Sequence, residues 1–290
     1  MIKVNGEVIN VEKFPDGTQR IMDFKSSLFD DNEKAYFNIV WLYETDAEMF
    51  TLMCIVNHIR DNHWYGSNAI IHLTMPYIPN ARMDRVHSQK EVFTLKYFAN
   101  FINSLKFDKV KVFDAHSNVS LAVINRIVII DYVDSLIRNS VMRDINDKNL
   151  IIYFPDAGAY KRYKNLTSIE HNTKLYGEKV RDWQTGKILR IDIRNENNDV
   201  IIPNDISGKS ILMIDDIISY GGTMAYSADR LEELGADKIY AYASHTENSV
   251  LDQEKGTFLK RLDYGTIDKL YTTNSIYNGE HKDIKVIHEF

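Results

Sequence analysis

Residues 211–223, ILMIDDIISYGGT, gather the groups best suited to chemistry: an apolar run, adjacent carboxylates at Asp215 and Asp216, and a glycine pair at Gly221 and Gly222. The apolar residues ahead of Asp215 fit a short buried parallel strand. Residues 223–235 (TMAYSADRLEELG) follow with helical spacing at Ala225, Ala228, Leu231 and Leu234. A loop between such a strand and helix lies at the strand's carboxyl end, where open α/β sheets bind ligands. Gly221 and Gly222 can take positive φ and present successive N–H groups, and a helix starting near Thr223 adds its positive dipole end, so the loop favours an anion. Asp215 and Asp216 repel that anion. They suit hydroxyls of the same ligand, as a ribose diol would require, or a Mg²⁺ ion. Asp215, Asp216, Ser219, Tyr220, Gly221, Gly222 and Thr223 are therefore read as a ribose-phosphate-binding loop. The plainer alternative is a strand end with a solvated acidic pair and an ordinary turn.

The elements that must position this loop belong to an α/β chain. Strand-like runs at 37–41, 69–74 and 110–113 alternate with helical ones at 44–60 and 91–105, where Leu95, Phe98, Ile102 and Leu105 share a face. Residues 127–136 follow, and a polar stretch at 143–148 opens with helical spacing and ends in turn residues. The scheme then repeats: a strand at 150–154, a helix at 158–163, a strand at 211–215, the helix after Thr223 and a strand at 238–244. Two similar domains are expected, 1–140 and 141–290, with a cleft between them.

At 290 residues and 44% apolar composition, the chain can fill two cores. A net charge of −6 without a basic run argues against nucleic acid and anionic membranes. The lone cysteine, Cys54, can form no internal disulfide and suits packing in a reducing cytoplasm. The polar start MIKVNGEVIN has no export signal, and no run approaches the ~18 apolar residues of a membrane span.

The order of motifs resembles the ribose-phosphate pyrophosphokinases, or phosphoribosyl pyrophosphate synthetases, along nearly the whole chain. FPDG at 14–17 is similar to that family's aromatic-x-Asp-Gly loop, MPYIPNARMDR at 75–85 to its Ala-Arg-Gln-Asp-Arg segment, and FDAHS at 113–117 to its Asp-x-His segment. Pro155, Asp156 and Gly158 resemble its Pro-Asp-x-Gly turn, residues 215–223 its ribose-phosphate loop, and YAYASH at 240–245 follows at the expected distance. The resemblance implies two phosphoribosyltransferase-like domains, each a largely parallel sheet flanked by helices. It also implies ATP-dependent transfer of a diphosphate to the C1 hydroxyl of a 5-phosphorylated ribose, with release of AMP. Such transfers depend on positioning and on neutralising charge around the reacting phosphorus.

Carried over residue by residue, Lys179 and Arg181 become the catalytic cations of a flexible loop, within EKVRDWQTGKILRI at 178–191. A basic β-hairpin with Thr185-Gly186 at its tip is the alternative there. Phe14, Asp16, Arg82 and Asp84 become ATP contacts, and His116 and Asp156 Mg²⁺ contacts. Without the resemblance, Asp16 is a turn aspartate, Asp156 a helix N-cap and His116 a hydrogen-bonded histidine at a strand end. In the family the first of these loops serves a neighbouring subunit, so a homo-oligomer is expected.

Departures from the pattern bear on the substrate. Ser219 stands for the loop's third aspartate and Tyr220 for a threonine that helps cradle the 5-phosphate; Thr18, Met83 and Ala159-Tyr160 replace a glutamate, a glutamine and two small residues. The bulk of Tyr220 suits a larger group beyond C5, as in ADP-ribose, which some phage-type relatives are associated with pyrophosphorylating. The chain ends at Phe290, before the C-terminal helix common in the family, so the family's hexamer is not carried over. Two other functions use overlapping residues. A type I phosphoribosyltransferase shares the 215–223 loop but not the segments around Phe14, Arg82 and His116, and a noncatalytic synthetase partner would not need Lys179, Arg181, His116 and Asp156.

Overall fold

The computed structural model describes residues 1–22, 36–61, 68–86, 88–181, 188–203 and 205–290, with the side chains of 179, 181, 188 and 189 outside that description. The chain divides into two units, Met1–Asp131 with Phe290, and Tyr132–Glu289.

The first unit is built on a six-stranded sheet. Strands β1 (Ile2–Val4) and β2 (Glu7–Val8) form an antiparallel edge, and a separate hairpin pairs β3 (Asn10–Lys13) with β4 (Gln19–Met22). Strands β5 (Tyr36–Trp41), β6 (Ile70–Thr74), β7 (Lys109–Phe113) and β8 (Ile127–Ile130) are mutually parallel, in the sheet order β2-β1-β5-β6-β7-β8. Helices α1 (Ala47–Asp61), α2 (Thr94–Ser104) and α3 (Asn118–Val123) connect them. The 3.6-residue spacing of α2 buries Leu95, Phe98, Ala99 and Ile102 against the core. Each large side chain buried there contributes about 1.5–3 kcal/mol.

The second unit opens with α4 (Val133–Leu136), a π-helical turn at Ile137–Met142 and α5 (Arg143–Ile145). Its seven-stranded sheet runs β11-β10-β9-β12-β13-β14-β15. Here β9 is Ile151–Phe154, β10 Lys174–Arg181, β11 Ile188–Asn195, β12 Ser210–Ile218, β13 Lys238–Thr246, β14 Lys269–Thr273 and β15 Ile284–Ile287. All neighbours are parallel except the hairpin β10–β11. Helices α6 (Ala157–Tyr163), α7 (Gly222–Glu233) and α8 (Thr257–Tyr264) complete it. The expected face of α7 is buried, with Ala225, Ala228, Leu231 and Leu234 in the core. No helix among the described residues is long and apolar enough to cross a membrane.

Three differences from the sequence reading have physical causes. Strand β12 continues past the acidic pair because Ile217 and Ile218 pair with His245 and Thr246, so the carboxylates sit inside the strand and not at its end. The basic segment at 178–191 has a hairpin stem, Leu175 to Arg181 pairing with Asn195 to Ile188, while residues 182–187, its tip, lie outside the described residues. Beyond Ser244, α8, β14 and β15 were not anticipated. Their short runs, such as KLYTT and IKVI, depend on parallel pairing with β13 and with each other.

Asp144 on α5 fastens the last two strands. Its carboxylate accepts from the Tyr271 hydroxyl at 2.7 Å and pairs with Lys269 and Lys285, each at 3.2 Å. The Tyr271 bond, then the two lysines, hold its pKa down at about 2 against an ordinary 3.8. A depressed carboxyl stabilises the fold fully above the unfolded value of 3.8 and loses that contribution as pH falls through about 2. Asp144→Asn is expected to cost about 1 kcal/mol at neutral pH. Urea unfolding between pH 4 and 2 should show a shallower acid dependence than in the wild type.

Candidate active site

In the second unit, β9, β12, α6 and α7 bring the predicted carboxylates together. Asp156 takes an extended conformation at the N-cap of α6, and its Oδ1 accepts from Gly158 N at 3.0 Å and Ala159 N at 3.1 Å. The helix-cap alternative for Asp156 is thus realised. Asp215 is half-buried and its Oδ1 accepts from the Asp216 amide at 2.9 Å. Burial, followed by the charges of Asp216 and Asp156, pushes its carboxyl well above the usual carboxylate range. Asp216 is buried and faces Arg162 Nη1 at 3.9 Å. Three acids and one cation on neighbouring elements leave this region with an excess of negative charge. Arg162 escaped the sequence reading; its signal was its place on the helix that Asp156 begins.

The loop after β12 is shaped by close packing. Gly221 is the N-cap of α7 at φ +75°, and a Cβ there would overlap the Phe258 side chain. Phe258 N and Thr257 Oγ1 both donate to the Tyr220 carbonyl at 3.1 Å. That backbone is therefore fixed while the Tyr220 side chain stays 40% exposed. Gly221 has no side chain to cap α7, the condition under which a helix N-terminus receives an anion. Ser219 Oγ lies 3.2 Å from Ser249 Oγ. Neither Phe258 nor Ser249 carried a sequence signal, because both reach the loop only through the fold.

The strand bearing Lys179 and Arg181 passes close to the Asp156 turn. At Gly177 a Cβ would overlap the Tyr153 hydroxyl and come within 2.9 Å of the Pro155 carbonyl, so glycine permits the approach. The side chains of Lys179 and Arg181 lie outside the described residues. Arg190, further along the hairpin, is engaged by Asp192 at 2.9 Å. Tyr160, a departure from the small residue usual in the resembled family, packs against Tyr176 with ring centroids 5.1 Å apart and so ties α6 to the hairpin.

The first unit carries the predicted nucleotide residues. Phe14 and Asp16 lie at the tip of the β3–β4 hairpin, and the Phe14 ring is 49% exposed. Asp16 Oδ1 accepts from Thr18 N at 3.0 Å and Thr18 Oγ1 at 2.7 Å, bonds that also lower its pKa. The turn-aspartate alternative is thus realised, and Thr18 is its partner. Exposed Arg82 and half-buried Asp84 follow β6, where Asn80 turns the chain at φ +62°. His116 follows β7 after Asp114 at φ +41° and is half-buried. Among the described residues, no three His, Cys, Asp or Glu side chains gather as a metal cluster.

Two α/β units with largely parallel sheets, one carrying an acid-pair strand that runs into a glycine loop and helix, define a protein of phosphoribosyltransferase-like fold. Residues 177–288 match the family model described as the phosphoribosyl synthetase-associated domain. The chain is 28% identical over 246 residues to a ribose-phosphate pyrophosphokinase of Pyrococcus abyssi, covering 84% of this chain and 79% of that one. It is 30% identical over 229 residues to ribose-phosphate pyrophosphokinase 1 of Listeria monocytogenes, covering 75% of this chain and 63% of that one, just under two thirds of its length. The crystal structure of phosphoribosylpyrophosphate synthetase from Mycobacterium smegmatis shares the fold, with a TM-score of 0.71, 18% identity and coverage of 97% of this chain and 86% of that one. The chain is thus similar to ribose-phosphate pyrophosphokinases over most of its length and shares the fold of a phosphoribosylpyrophosphate synthetase.

The raised Asp215 carboxyl has a measurable consequence. Its contribution to stability is complete below the unfolded value of 3.8 and is lost as pH rises through the higher folded value. Asp215→Asn keeps the bond from the Asp216 amide and removes that penalty. At pH 7 it is expected to stabilise the protein by about 1 kcal/mol, a rise in Tm of about 2–4 °C by calorimetry.

Proposed function

We propose that this protein transfers the diphosphate of ATP to the C1 hydroxyl of a 5-phosphorylated ribose, releasing AMP. The observation that carries the reading is the loop from Asp215 to Thr223. It sets buried acceptors beside a glycine-capped helix N-terminus, with the Gly221 backbone pressed on Phe258. Carboxylates at one end suit sugar hydroxyls, and amides at the other suit a phosphate. The similarity to the Pyrococcus and Listeria ribose-phosphate pyrophosphokinases supports a ribose phosphate as the acceptor.

The residues present fit Mg²⁺. This ion is usually held by one or two carboxylates together with substrate phosphates, and at Asp215 burial, then the charges of Asp216 and Asp156, raise the carboxyl in a way that a cation would relieve. Asp156 would contribute to holding it, and when bound it would neutralise charge on the transferring phosphates. In this reading Lys179 and Arg181 close on the diphosphate from the β10–β11 arm. Phe14, Asp16, Arg82 and Asp84 hold the nucleotide. Because the Phe14 loop of the family serves a neighbouring subunit, the working form is a homo-oligomer.

A second acceptor is favoured by Tyr220. Its carbonyl is pinned by two donors while its ring remains exposed at the phosphate end of the loop, a surface on which a group beyond the 5-phosphate can stack. ADP-ribose has such a group.

Incubation with ATP, Mg²⁺ and either ribose 5-phosphate or ADP-ribose, followed by mass spectrometry of AMP and the pyrophosphorylated sugar, tests both readings. Product from ribose 5-phosphate is the expected result. Product from ADP-ribose alone would make Tyr220 the specificity residue, and AMP from neither would sink the enzyme. Lys179→Ala with Arg181→Ala should lower kcat by at least about 100-fold, since charge neutralisation is the main contribution. An unchanged circular dichroism spectrum would show that the fold is kept.

A further inference from the structure

Ser249 lies in the 3₁₀ turn Asn248–Leu251 that follows β13. Its hydroxyl donates to Glu247 Oε2 at 3.1 Å and lies 3.2 Å from Ser219 Oγ. A serine has one O–H proton, and a carboxylate only accepts. With the Ser249 proton committed to Glu247, the Ser219–Ser249 bond can run in one direction only, with Ser219 donating. Ser219 is then left with lone pairs alone for any further partner.

We propose that Glu247 and Ser249 are positioning residues that set Ser219 as a hydrogen-bond acceptor, so that this corner of the loop reads a hydroxyl of the sugar and not a phosphate oxygen. The inference rests on the ribose-phosphate reading of the loop. The relay has a rigid support. Glu247 N donates to Ile218 O at 2.8 Å, extending the β12–β13 ladder to the foot of the loop. Asn248 Nδ2 donates to Asn278 Oδ1 at 2.6 Å, and Asn278 N donates back to Asn248 Oδ1 at 3.2 Å. Acceptors thereby run from Asp215 through Asp216 to Ser219, while donors begin beyond Gly221. A 5-phosphorylated sugar presents its groups with the same separation, hydroxyls on the ring and an anion beyond C5.

Glu247→Gln tests this without loss of volume. A glutamine amide can donate to Ser249, which then donates to Ser219, and the Ser219 proton is released. Titration calorimetry of wild type and variant with ribose 5-phosphate, ADP-ribose and inorganic phosphate is the measurement. The relay predicts about tenfold weaker binding of whichever sugar the wild type binds. Binding of inorganic phosphate should be unchanged, as it should be in Ser249→Ala, which also frees the Ser219 proton. Ser249→Thr keeps the hydroxyl and should retain wild-type affinity. In a Ser219→Ala background, Glu247→Gln should have no further effect. Equal losses for sugar and phosphate would make the contact mere loop support and overturn the relay, as would wild-type sugar affinity in both Glu247→Gln and Ser249→Ala. A wild-type protein that binds neither sugar would overturn the ribose-phosphate reading itself, a result read from the wild type alone.

Discussion

The pairing of β12 with β13 is the constraint on which the second unit depends. Its register runs from Ser210 opposite Lys238 to Ile218 opposite Thr246, three residues beyond Asp215. Because the ladder continues, the acidic pair is held in extended backbone within a sheet, where an unsupported strand end would let it turn to water. The same ladder delivers Glu247 beside Ile218 and places Ser219 at the start of the loop with Ser249 as its partner. A one-residue slip would exchange the two faces of β12 and bring Asp215 where Asp216 now lies.

Desolvation gives that placement its electrostatic character. The carboxyl of Asp215 resists ionisation because it is desolvated and because Asp216 and Asp156 stand near it. Arg162 offsets part of this charge at Asp216, and the remainder is a standing repulsion in the absence of ligand. Such a site is organised at a cost to stability, which fits binding of hydroxyl donors or a cation better than a purely structural role. Within a few residues the chain passes from acceptors to the amide-rich start of α7. Gly221 makes the turn possible, because a Cβ there would overlap Phe258.

In this chain, which is 28–30% identical to the Pyrococcus and Listeria relatives, Ser219 and Tyr220 stand between the acid pair and the glycine pair. Both residues are built into the fold. Ser219 is coupled to Ser249, and the Tyr220 backbone is bonded by α8. Tyr160 likewise packs against Tyr176.

Local information was sufficient for much of this. Apolar runs of strand length, the helical spacing of α2 and α7, and glycines at a strand-to-helix turn are patterns within a dozen residues, and they made the α/β class, the main elements and the 215–223 loop legible in the sequence. The end of β12, the short strands β14 and β15, and the supports from Arg162, Ser249 and Phe258 were not legible. Each depends on partners tens of residues away, whose contact is made by chain topology and leaves no periodic trace. The carboxylates show the same division. The local pattern named Asp215 and Asp216 as candidates and the family resemblance named Asp156, but only the tertiary structure decided that Asp156 caps a helix, that Asp216 meets Arg162 and that Asp215 bears the desolvation, because burial and through-space charge are properties of packing.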